Sequence, residues 1–341
     1  MARVGIIGGG AFGTAMACVL CRRGHAVTIW AREAEVVESI NRARANPVFL
    51  RDVPLPDGIA ATQDPVEAVH GAKFVLLAPP AQHMRSVIAP LHGVLPTGVP
   101  LVTCSKGLEQ STCALMSQVI GEVFPGAPVA ALSGPSFAAE VSIGQPAAVT
   151  LACADPVLGE RLAHEIGSAR FRVYLSDDPI GAQVGGAMKN VVAIACGVTT
   201  GRKLGSSMRA TLVARGLAET VDLGLALGAR LETFLGLSGI GDIDLSCNSP
   251  QSRNMSLGIA LGEGRSLAEV LGSRITVQEG VHSAAAAFAL ANRLGVEMPI
   301  AAMVDRILNH GAAADDEIAA LLALPYGVER AVVPLLRRGP S

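Results

Sequence analysis

The chain has 341 residues, half of them hydrophobic, and a formal net charge of −2 at pH 7. This length predicts two domains, and the hydrophobic fraction is sufficient for two large cores. The slightly acidic balance and the 3% aromatic content argue against nucleic-acid binding, which usually requires a basic face or stacking side chains.

No targeting peptide, membrane span or metal site is expected. The residues after Met1 lead directly into a strand pattern, and no apolar run approaches the ~20 residues that cross a bilayer. The seven cysteines lack disulfide spacing, which is typical of a reducing compartment. Cys18 and Cys21 form a CxxC inside a predicted helix, but no second pair completes a zinc site. We therefore expect a cytoplasmic protein.

The first predicted unit is a strand, a glycine-rich loop and a helix. The apolar strand Arg3–Ile7 leads into a GxGxxG pattern at residues 8–13, and an apolar helical run follows. Gly8 permits the tight turn, Gly10 lets the backbone approach a pyrophosphate, and Gly13 lets helix and strand pack closely. The free N–H groups at the helix N-terminus favour phosphate. This context predicts a Rossmann-type dinucleotide site.

The residues after the second predicted strand, Ala26–Trp30, bear on the choice of cofactor. NAD-preferring folds usually place an Asp or Glu at this point, where it binds the ribose 2′-hydroxyl. Here Arg32 occupies that place and Glu33 follows it. Arg32 either meets a 2′-phosphate or begins the next helix and faces solvent. The pattern favours NADP(H) and leaves NAD(H) open.

Further buried strands continue the alternation of strands and helices, and several end in polar turns. In an open α/β sheet, ligands bind beyond the carboxyl ends of the strands. Lys106 follows one strand between two turn-forming residues, within reach of a phosphate or carbonyl, although such a lysine is more often a surface loop residue. The predicted strands are Phe74–Leu77, 101–104, 129–132, Ala147–Cys153 and 171–175.

The chain is organised around an apolar run at residues 180–200 that carries one charge, Lys189. Such a run predicts a helix buried on most sides. A buried ammonium loses hydration, so the pKa of Lys189 is expected to lie below the usual value of about 10.4. Two interpretations stay open here: a catalytic lysine, or a structural helix whose lysine reaches the surface.

Beyond residue 180 the spacing of apolar residues predicts helices. The sequence thus predicts the α/β class: an N-terminal Rossmann-type doubly wound sheet in residues 1–180, followed by an all-α C-terminal domain in residues 181–341. The segment 337–341 is expected to fray. The predicted helices are 208–227, 266–271, 281–294 and 301–309.

Polar residues interrupt this apolar half at residues 239–246 and 248–254. Ser252, Arg253 and Asn254 offer a hydroxyl, a guanidinium and an amide in succession, which suits a phosphate because Arg gives two parallel hydrogen bonds. Ordinary capping of the following helix explains the same residues equally well. None of the seven histidines lies in a pattern that indicates a His–Asp pair.

These motifs resemble those of the bacterial NAD(P)-dependent glycerol-3-phosphate dehydrogenases. The resemblance runs in the order of that family over almost the whole chain, so it is far more specific than any single motif. The matching segments are GGGAFGTAMA at 8–17, SKG at 105–107, LSGPSF at 132–137, GGAMKNV at 185–191, RGLAE at 215–219, GIGD at 239–242, QSRN at 251–254 and EMPI at 297–300.

The resemblance implies that NAD(P)H reversibly reduces dihydroxyacetone phosphate to sn-glycerol 3-phosphate, for glycerophospholipid synthesis. Lys189 matches the catalytic lysine, whose ammonium would protonate the ketone oxygen and whose neutral form would be the base in oxidation. Asp242 matches a substrate-site residue that also orients Lys189, and Lys106 matches one that touches cofactor and substrate. The other implied positions are substrate contacts at Gly134, Ser136, Ser252, Arg253 and Asn254, and cofactor contacts at Ala11, Phe12, Arg32, Ala138, Arg253, Val277 and Glu279.

The resemblance also implies a homodimer, and the chain departs from the family pattern at three places. Phe12 stands where Trp or Tyr is common, which keeps an aromatic side chain. Gln278 replaces an apolar residue. The loop at residues 202–207 carries a basic pair and has Ser207 where Asn is usual, so we expect its contacts with substrate or cofactor to differ from those of the family.

Two other functions remain open. A β-hydroxyacid dehydrogenase has a similar two-domain plan, but it typically carries an Asn four places after its lysine, where this chain has Ala193. A nucleotide-binding sensor without catalysis is the other, and the intact lysines argue against it because a non-catalyst has no need of a buried lysine. A fall in NADPH absorbance on adding dihydroxyacetone phosphate would separate these functions from the first.

Overall fold

The computed structural model of the protein describes residues 2–272 and 279–325. Val277, the departure at Gln278 and the expected fraying of 337–341 therefore lie outside the described residues. An eight-stranded sheet flanked by helices comes first along the chain, and a helical domain follows it.

The sheet has the strand order β3-β2-β1-β4-β5-β6-β7-β8. Neighbouring strands from β3 to β6 are parallel, β7 is antiparallel to β6, and β8 is parallel to β7. The carboxyl ends of β1, β4, β5 and β6 therefore lie side by side at one edge. The strands are β1 Arg3–Ile7, β2 Ala26–Trp30, β3 Ile59–Thr62, β4 Phe74–Leu77, β5 Leu101–Thr103, β6 Val129–Ser133, β7 Ala147–Cys153 and β8 Phe171–Ser176.

The seven strands predicted from the sequence are present, and the short edge strand β3 was not predicted. Its four residues include two alanines, which are poor strand formers, so its pattern is weak. It forms because its backbone pairs with β2 in parallel register.

Two hydrophobic cores lie on opposite faces of the sheet. Ile6 belongs to one and Ile7 to the other, because successive side chains of a strand point to opposite faces. The helices that cover the two faces are α1 Ala11–Arg22, α2 Ala34–Ala43, α3 Pro65–Val69, α4 Met84–Ile88, α5 Met116–Val123, α6 Ala138–Ser142 and α7 Pro156–Ile166.

The helical domain is built around its first helix, α8, which spans Pro179–Gly201 and is buried along most of its length. Pro179 suits the first turn, and the Asp178 carboxylate caps the helix by accepting the N–H of Gly181 at 2.8 Å. The later helices are α9 Gly205–Ala226, α10 Leu231–Phe234, α11 Asp242–Asn248, α12 Arg253–Gly262, α13 Leu267–Gly272, α14 Glu279–Leu294, α15 Pro299–Asn309 and α16 Ala314–Leu322, with a π-helical turn at Leu237–Gly241.

This domain is helical throughout its described part, as predicted, but the polar interruptions are more ordered than the sequence suggested. Residues 239–254 form the π-helical turn, α11 and the start of α12. The helices α10, α11 and α16 were not predicted because short or polar helices give a weak periodic signal, whereas α12 is the helix that the capping interpretation of residues 252–254 expected. No helix in the described ranges is both long and apolar enough to cross a membrane.

Candidate active site

The glycine-rich loop joins β1 to α1 in a conformation that fits a dinucleotide pyrophosphate. Gly8 has a φ of +121°, and a Cβ on Gly13 would lie 1.9 Å from the carbonyl oxygen of Gly8. Gly10 is the N-cap of α1 without a side-chain cap, and its missing Cβ would point into open space. A diphosphate therefore has room to approach the helix N-terminus, as the sequence predicts.

Asn46 holds this loop in place, a contact that the sequence analysis did not predict. The fully buried Asn46 amide donates to the carbonyl of Gly9 at 2.9 Å and to the Thr14 hydroxyl at 2.8 Å. The structure thus fixes the loop from the side of α2. A lone Asn in a connecting segment resembles any other turn residue, so only the fold reveals this contact.

The predicted cofactor contacts near the loop fall on two packed helices and one strand end. Ala11 and Phe12 open α1, and Ala138 opens α6, which packs against α1. Arg32 lies just after β2, whose last residue, Trp30, accepts the N–H of Gly8 at 3.1 Å. The Arg32 side chain is 79% exposed and is paired with Glu33.

Asp242 joins two lysines at the carboxyl edge of the sheet. Its Oδ2 lies 2.5 Å from the Nζ of Lys106, and its Oδ1 lies 3.4 Å from the Nζ of Lys189. The carboxylate is 1% exposed, whereas the two lysine side chains are 16% and 15% exposed. Two ammonium groups thus share one buried counter-ion and still reach the cleft.

The environment of Lys189 perturbs its acidity in the predicted direction. Burial is the main cause that lowers the pKa of Lys189 below its usual value. The negative charge of Asp242 opposes this effect, while the positive charges of Lys106 and Arg253 add to it. The expectation of a lowered pKa is therefore confirmed. A lysine of this kind exchanges a proton more readily near neutral pH than a solvated one.

Two glycines of α8 let other segments reach Lys189. A Cβ on Gly186 would lie 2.8 Å from the Ser133 hydroxyl and 3.4 Å from Cγ of Lys106. A Cβ on Gly185 would lie 2.1 Å from the carbonyl oxygen of Ser238 in the π-helical turn. Because these two glycines have no side chain, the Lys106 loop and the turn before Asp242 pack closely against the helix.

The turn after β6 supplies a further contact to Lys106. The Lys106 ammonium donates to the carbonyl oxygen of Gly134 at 2.8 Å, and the Ser136 hydroxyl donates to the same oxygen at 3.0 Å. Gly134 has a φ of +143°, which favours glycine. The structure therefore places both predicted residues of this turn beside the lysine pair.

Ser246 is a contact of Lys189 that sequence reasoning missed. The Nζ of Lys189 donates to the Ser246 hydroxyl at 2.9 Å. Asp242 and Ser246 lie four residues apart on α11, so both side chains face the same side of that helix. The i, i+4 spacing was visible in the sequence, but it carries meaning only once residues 242–248 are known to be helical.

A chain of amides connects the Lys106 loop with the start of α14. The Asn190 side chain donates to the backbone carbonyl of Lys106 at 2.9 Å and accepts from the Asn254 amide at 2.8 Å. The Asn254 oxygen in turn accepts the N–H of Gly280 at 3.3 Å. Four segments distant in the sequence are thus held around Lys189.

The sequence left two interpretations of residues 252–254, a phosphate site and a helix cap, and the three residues do not all fit the same one. Ser252 is buried and caps α12 by accepting the N–H of Met255 at 3.3 Å, and the Asn254 amide is engaged by Asn190. Arg253 is the first residue of α12 and is exposed, yet the crowded cleft partly desolvates it and lowers its pKa, with Glu279 opposing. The guanidinium therefore faces the cleft.

Glu279 begins α14 and reaches across to the nucleotide-binding half. One carboxylate oxygen accepts the N–H of Ala81, just beyond β4, at 2.9 Å. Burial raises the pKa of Glu279 to about 7, and the Ala81 N–H and the charge of Arg253 oppose that rise. The predicted cofactor contact thus lies at the same sheet edge as the lysine pair. The described residues contain no group of three or more His, Cys, Asp or Glu side chains arranged to hold a metal.

The departure at residues 202–207 lies at the far end of α8. Gly201 closes the helix twelve residues after Lys189, about 18 Å along the axis. Arg202 pairs with Asp315 of α16 at 2.7 Å. This loop is therefore remote from the lysine pair, and its basic residues are not part of that cluster.

The chain matches a known family over both halves. Residues 3–158 match the family described as the NAD-dependent glycerol-3-phosphate dehydrogenase N-terminus, and residues 178–319 match its C-terminus. The first match ends before β8, the last strand of the sheet, and the second begins just before α8.

Individual relatives and a solved structure are similar to the chain and have the same family name. The chain is 53% identical over 327 residues to a glycerol-3-phosphate dehydrogenase (NAD(P)+) of Parvibaculum lavamentivorans, covering 96% of this chain and 98% of the relative. It is 52% identical over 326 residues to that of Rhodospirillum rubrum, covering 96% and 93%. The crystal structure of glycerol-3-phosphate dehydrogenase from Coxiella burnetii is similar with a TM-score of 0.92 at 34% identity, covering 95% and 99%.

Proposed function

The chain belongs to the NAD-dependent glycerol-3-phosphate dehydrogenase family, and from this we propose that it reversibly reduces dihydroxyacetone phosphate to sn-glycerol 3-phosphate. It is an NAD(P)-dependent oxidoreductase. The observation that carries the proposal is the pair of lysines on one buried carboxylate, Asp242, at the carboxyl edge of a dinucleotide-binding sheet. This edge is where a cofactor and a second ligand meet in such folds.

Lys189 is the proposed proton donor. Bound NAD(P)H supplies the hydride to the carbonyl carbon. The Lys189 ammonium donates a hydrogen bond to the ketone oxygen and transfers a proton to it as negative charge develops there. In the oxidative direction the neutral amine accepts the proton of the hydroxyl. The lowered pKa of Lys189 favours both steps, because it makes the free energies of the ammonium and the neutral amine more similar near neutral pH.

Asp242 and Lys106 complete the proposed catalytic set. Asp242 fixes the positions of both ammonium groups and offsets their repulsion. Lys106, which is anchored on Gly134, adds positive charge beside the reacting oxygen and bridges substrate and cofactor. Ser246 holds the Lys189 ammonium from the opposite helix and acts as a positioning residue.

The phosphate of the substrate is proposed to bind at the start of α12. Arg253 stands first in this ten-residue helix, so its guanidinium and the helix N-terminus both favour an anion. Ser252 and Asn254 shape this end through their cap and amide contacts. The proposed substrate contacts are Lys106, Gly134, Ser136, Lys189, Asp242, Ser252, Arg253 and Asn254.

The cofactor is proposed to lie along the glycine-rich loop and across to Glu279. The exposed Arg32 at the end of β2 supports a preference for NADP(H), since its guanidinium is accessible to a 2′-phosphate. The proposed cofactor contacts are Gly8, Gly10, Ala11, Phe12, Gly13, Arg32, Lys106, Ala138, Arg253, Val277 and Glu279.

Four broader proposals follow from the family. We propose a cytoplasmic homodimer whose product supplies glycerophospholipid synthesis. We also propose that residues 1–180 form the dinucleotide-binding domain and residues 181–341 the catalytic helical domain.

Initial rates with dihydroxyacetone phosphate test the proposal, with NADPH and NADH compared at equal concentration. Turnover with either cofactor supports the reaction, and faster turnover with NADPH supports Arg32 as the partner of the 2′-phosphate. If cofactor binds but neither NADPH nor NADH is consumed, the substrate assignment is wrong, and 3-hydroxy acids become the next substrates to assay.

A further inference from the structure

The backbone that carries Arg32, just after β2, is held by hydrogen bonds. The N–H of Ala31 donates to the carbonyl of Thr62 at 3.0 Å, and the Gln63 side chain donates to the carbonyl of Arg32 at 3.0 Å. These bonds to β3 and the residue after it fix the backbone on both sides of the arginine. The guanidinium itself extends from this backbone into solvent.

Glu33 holds that guanidinium. The Oε1 of Glu33 accepts from both Nε of Arg32, at 3.1 Å, and Nη2 of Arg32, at 2.9 Å. Glu33 occupies the N-cap position of α2, where a side chain often caps the helix, but its carboxylate makes no cap hydrogen bond. The carboxylate turns towards Arg32 instead, and its side chain is 26% exposed.

We infer that Glu33 is a specificity-determining residue that competes with the 2′-phosphate of the cofactor for Arg32 and so lets the enzyme use NADH as well as NADPH. The inference rests on the proposed cofactor site. Glu33 and the 2′-phosphate are both anions that require the same guanidinium, so NADPH must displace Glu33 before Arg32 pairs with it. A cofactor with a free 2′-hydroxyl meets no such competition, because the carboxylate accepts a hydrogen bond from that hydroxyl.

The competition predicts opposite effects of one substitution on the two cofactors. Glu33→Gln removes the charge that holds Arg32 and that repels the phosphate. We expect the Kd for NADPH to fall about 5-fold, since an exposed ion pair is a modest competitor. The Kd for NADH should rise about 3-fold, because a neutral amide is a weaker acceptor for the 2′-hydroxyl.

A double-mutant cycle isolates the role of Arg32. Arg32→Ala should raise the Kd for NADPH at least about 10-fold and leave that for NADH within about 2-fold. In the Arg32→Ala background the gain from Glu33→Gln should shrink to about 2-fold, since only the direct repulsion remains to be relieved. Glu35→Gln is the matched control, because Glu35 is an exposed carboxylate in the first turn of the same helix.

Binding is measured without turnover by the fluorescence of the reduced nicotinamide. Trp30, the single tryptophan of the chain, gives a second fluorescence signal because it lies beside this site, where its indole N–H donates to the carbonyl of Gln63. Opposite shifts for the two cofactors in Glu33→Gln, absent in Glu35→Gln, support the inference. Equal effects of the two variants, or a shift of both cofactors in the same direction, overturn it. Neither result depends on dihydroxyacetone phosphate, so a wrong substrate assignment would be recognised separately.

Discussion

Asp242 and Lys189 form an ion pair in which Oδ1 lies 3.4 Å from Nζ, while the same carboxylate holds Lys106 at 2.5 Å. The carboxylate is buried, and each lysine keeps a small exposed fraction. One negative charge thus offsets one of the two positive charges, and the remaining positive charge faces the cleft. An anionic transition state, such as a ketone oxygen that gains an electron pair, is stabilised by this arrangement.

Replacing Lys189 with Ala should reduce kcat for dihydroxyacetone phosphate by at least about 1,000-fold, because the proposed proton donor is lost. The Kd for NADPH, measured by nicotinamide fluorescence, should stay within about 3-fold, since the glycine-rich loop is untouched. Lys203→Ala is the control, as Lys203 is an exposed lysine beyond the end of the same helix. A Lys189→Ala enzyme with wild-type rates would remove Lys189 from the chemistry.

Asp242→Asn should lower kcat/KM about 100-fold and move the alkaline limb of its pH profile to lower pH. The charge of Asp242 raises the pKa of Lys189 against the effect of burial, so its removal lowers that pKa further. The ammonium needed for reduction is then lost at a lower pH. The measurement is kcat/KM for reduction between pH 6 and 10.

Asp244→Asn serves as the control for that profile. Asp244 lies on the same helix, but it is exposed and its carboxylate accepts from Asn248 at 2.7 Å. Its profile should match that of the wild type. An Asp242→Asn enzyme whose alkaline limb does not move would show that Asp242 does not set the pKa of Lys189.

Arg253→Ala should raise the KM for dihydroxyacetone phosphate about 10- to 100-fold and change kcat less, because it removes the proposed charge-assisted contact to the phosphate. Rates with unphosphorylated dihydroxyacetone should change far less. Arg253→Lys should recover part of the loss, since it keeps the charge without the planar fork. Arg265→Ala, an exposed arginine beyond the other end of α12, should behave like the wild type. An unchanged KM in Arg253→Ala would place the phosphate elsewhere.

Glu219 should make the folded protein less stable as pH rises. Its buried carboxylate accepts the N–H groups of Ile300 at 2.8 Å and Ala301 at 3.2 Å at the start of α15, and burial raises its pKa from 4.5 to about 7. Between these values the folded chain keeps a proton that the unfolded chain releases. Stability from this group is therefore complete below pH 4.5 and falls by up to about 3 kcal/mol as pH approaches 7.

The variant Glu219→Gln cannot titrate, so its free energy of unfolding relative to the wild type should increase from pH 5 to pH 7.5. Denaturant unfolding followed by circular dichroism at several pH values measures this difference. Glu263→Gln, at an exposed glutamate after α12, should give a constant difference. A flat difference for Glu219→Gln as well would mean that Glu219 is ionised throughout that range.

Much of the sheet and the main helices could be predicted because their signals are local. The apolar strand Arg3–Ile7 and the glycine pattern after it lie within a few residues of one another, and the structure has the same strand bounds. The long apolar run around Lys189 likewise predicts α8, which extends one residue further at each end, Pro179–Gly201. The strand Ile59–Thr62 was missed because its order comes from its pairing with β2 and not from its own composition.

The candidate site likewise contains residues that the sequence analysis identified and residues that it missed. The motifs and the resemblance identified Lys106, Lys189 and Asp242 as a set. They did not reveal Ser246, whose contact with Lys189 spans 57 residues of sequence, or Asn46, which holds the glycine-rich loop across 37 residues. Both residues are common types in positions with no distinctive pattern.

The sequence by itself determined seven of the eight strands, the helical class of the second domain, the dinucleotide loop and the identity of the buried lysine, because each depends on residues close together in the chain. Only the tertiary structure decided which groups surround that lysine. Asp242 meets Lys106 across 136 residues, and a buried pair of this kind forms only where packing removes water from both partners. The lowered pKa of Lys189 therefore depends first on its burial in the folded domain and then on the charges of Asp242, Lys106 and Arg253 around it.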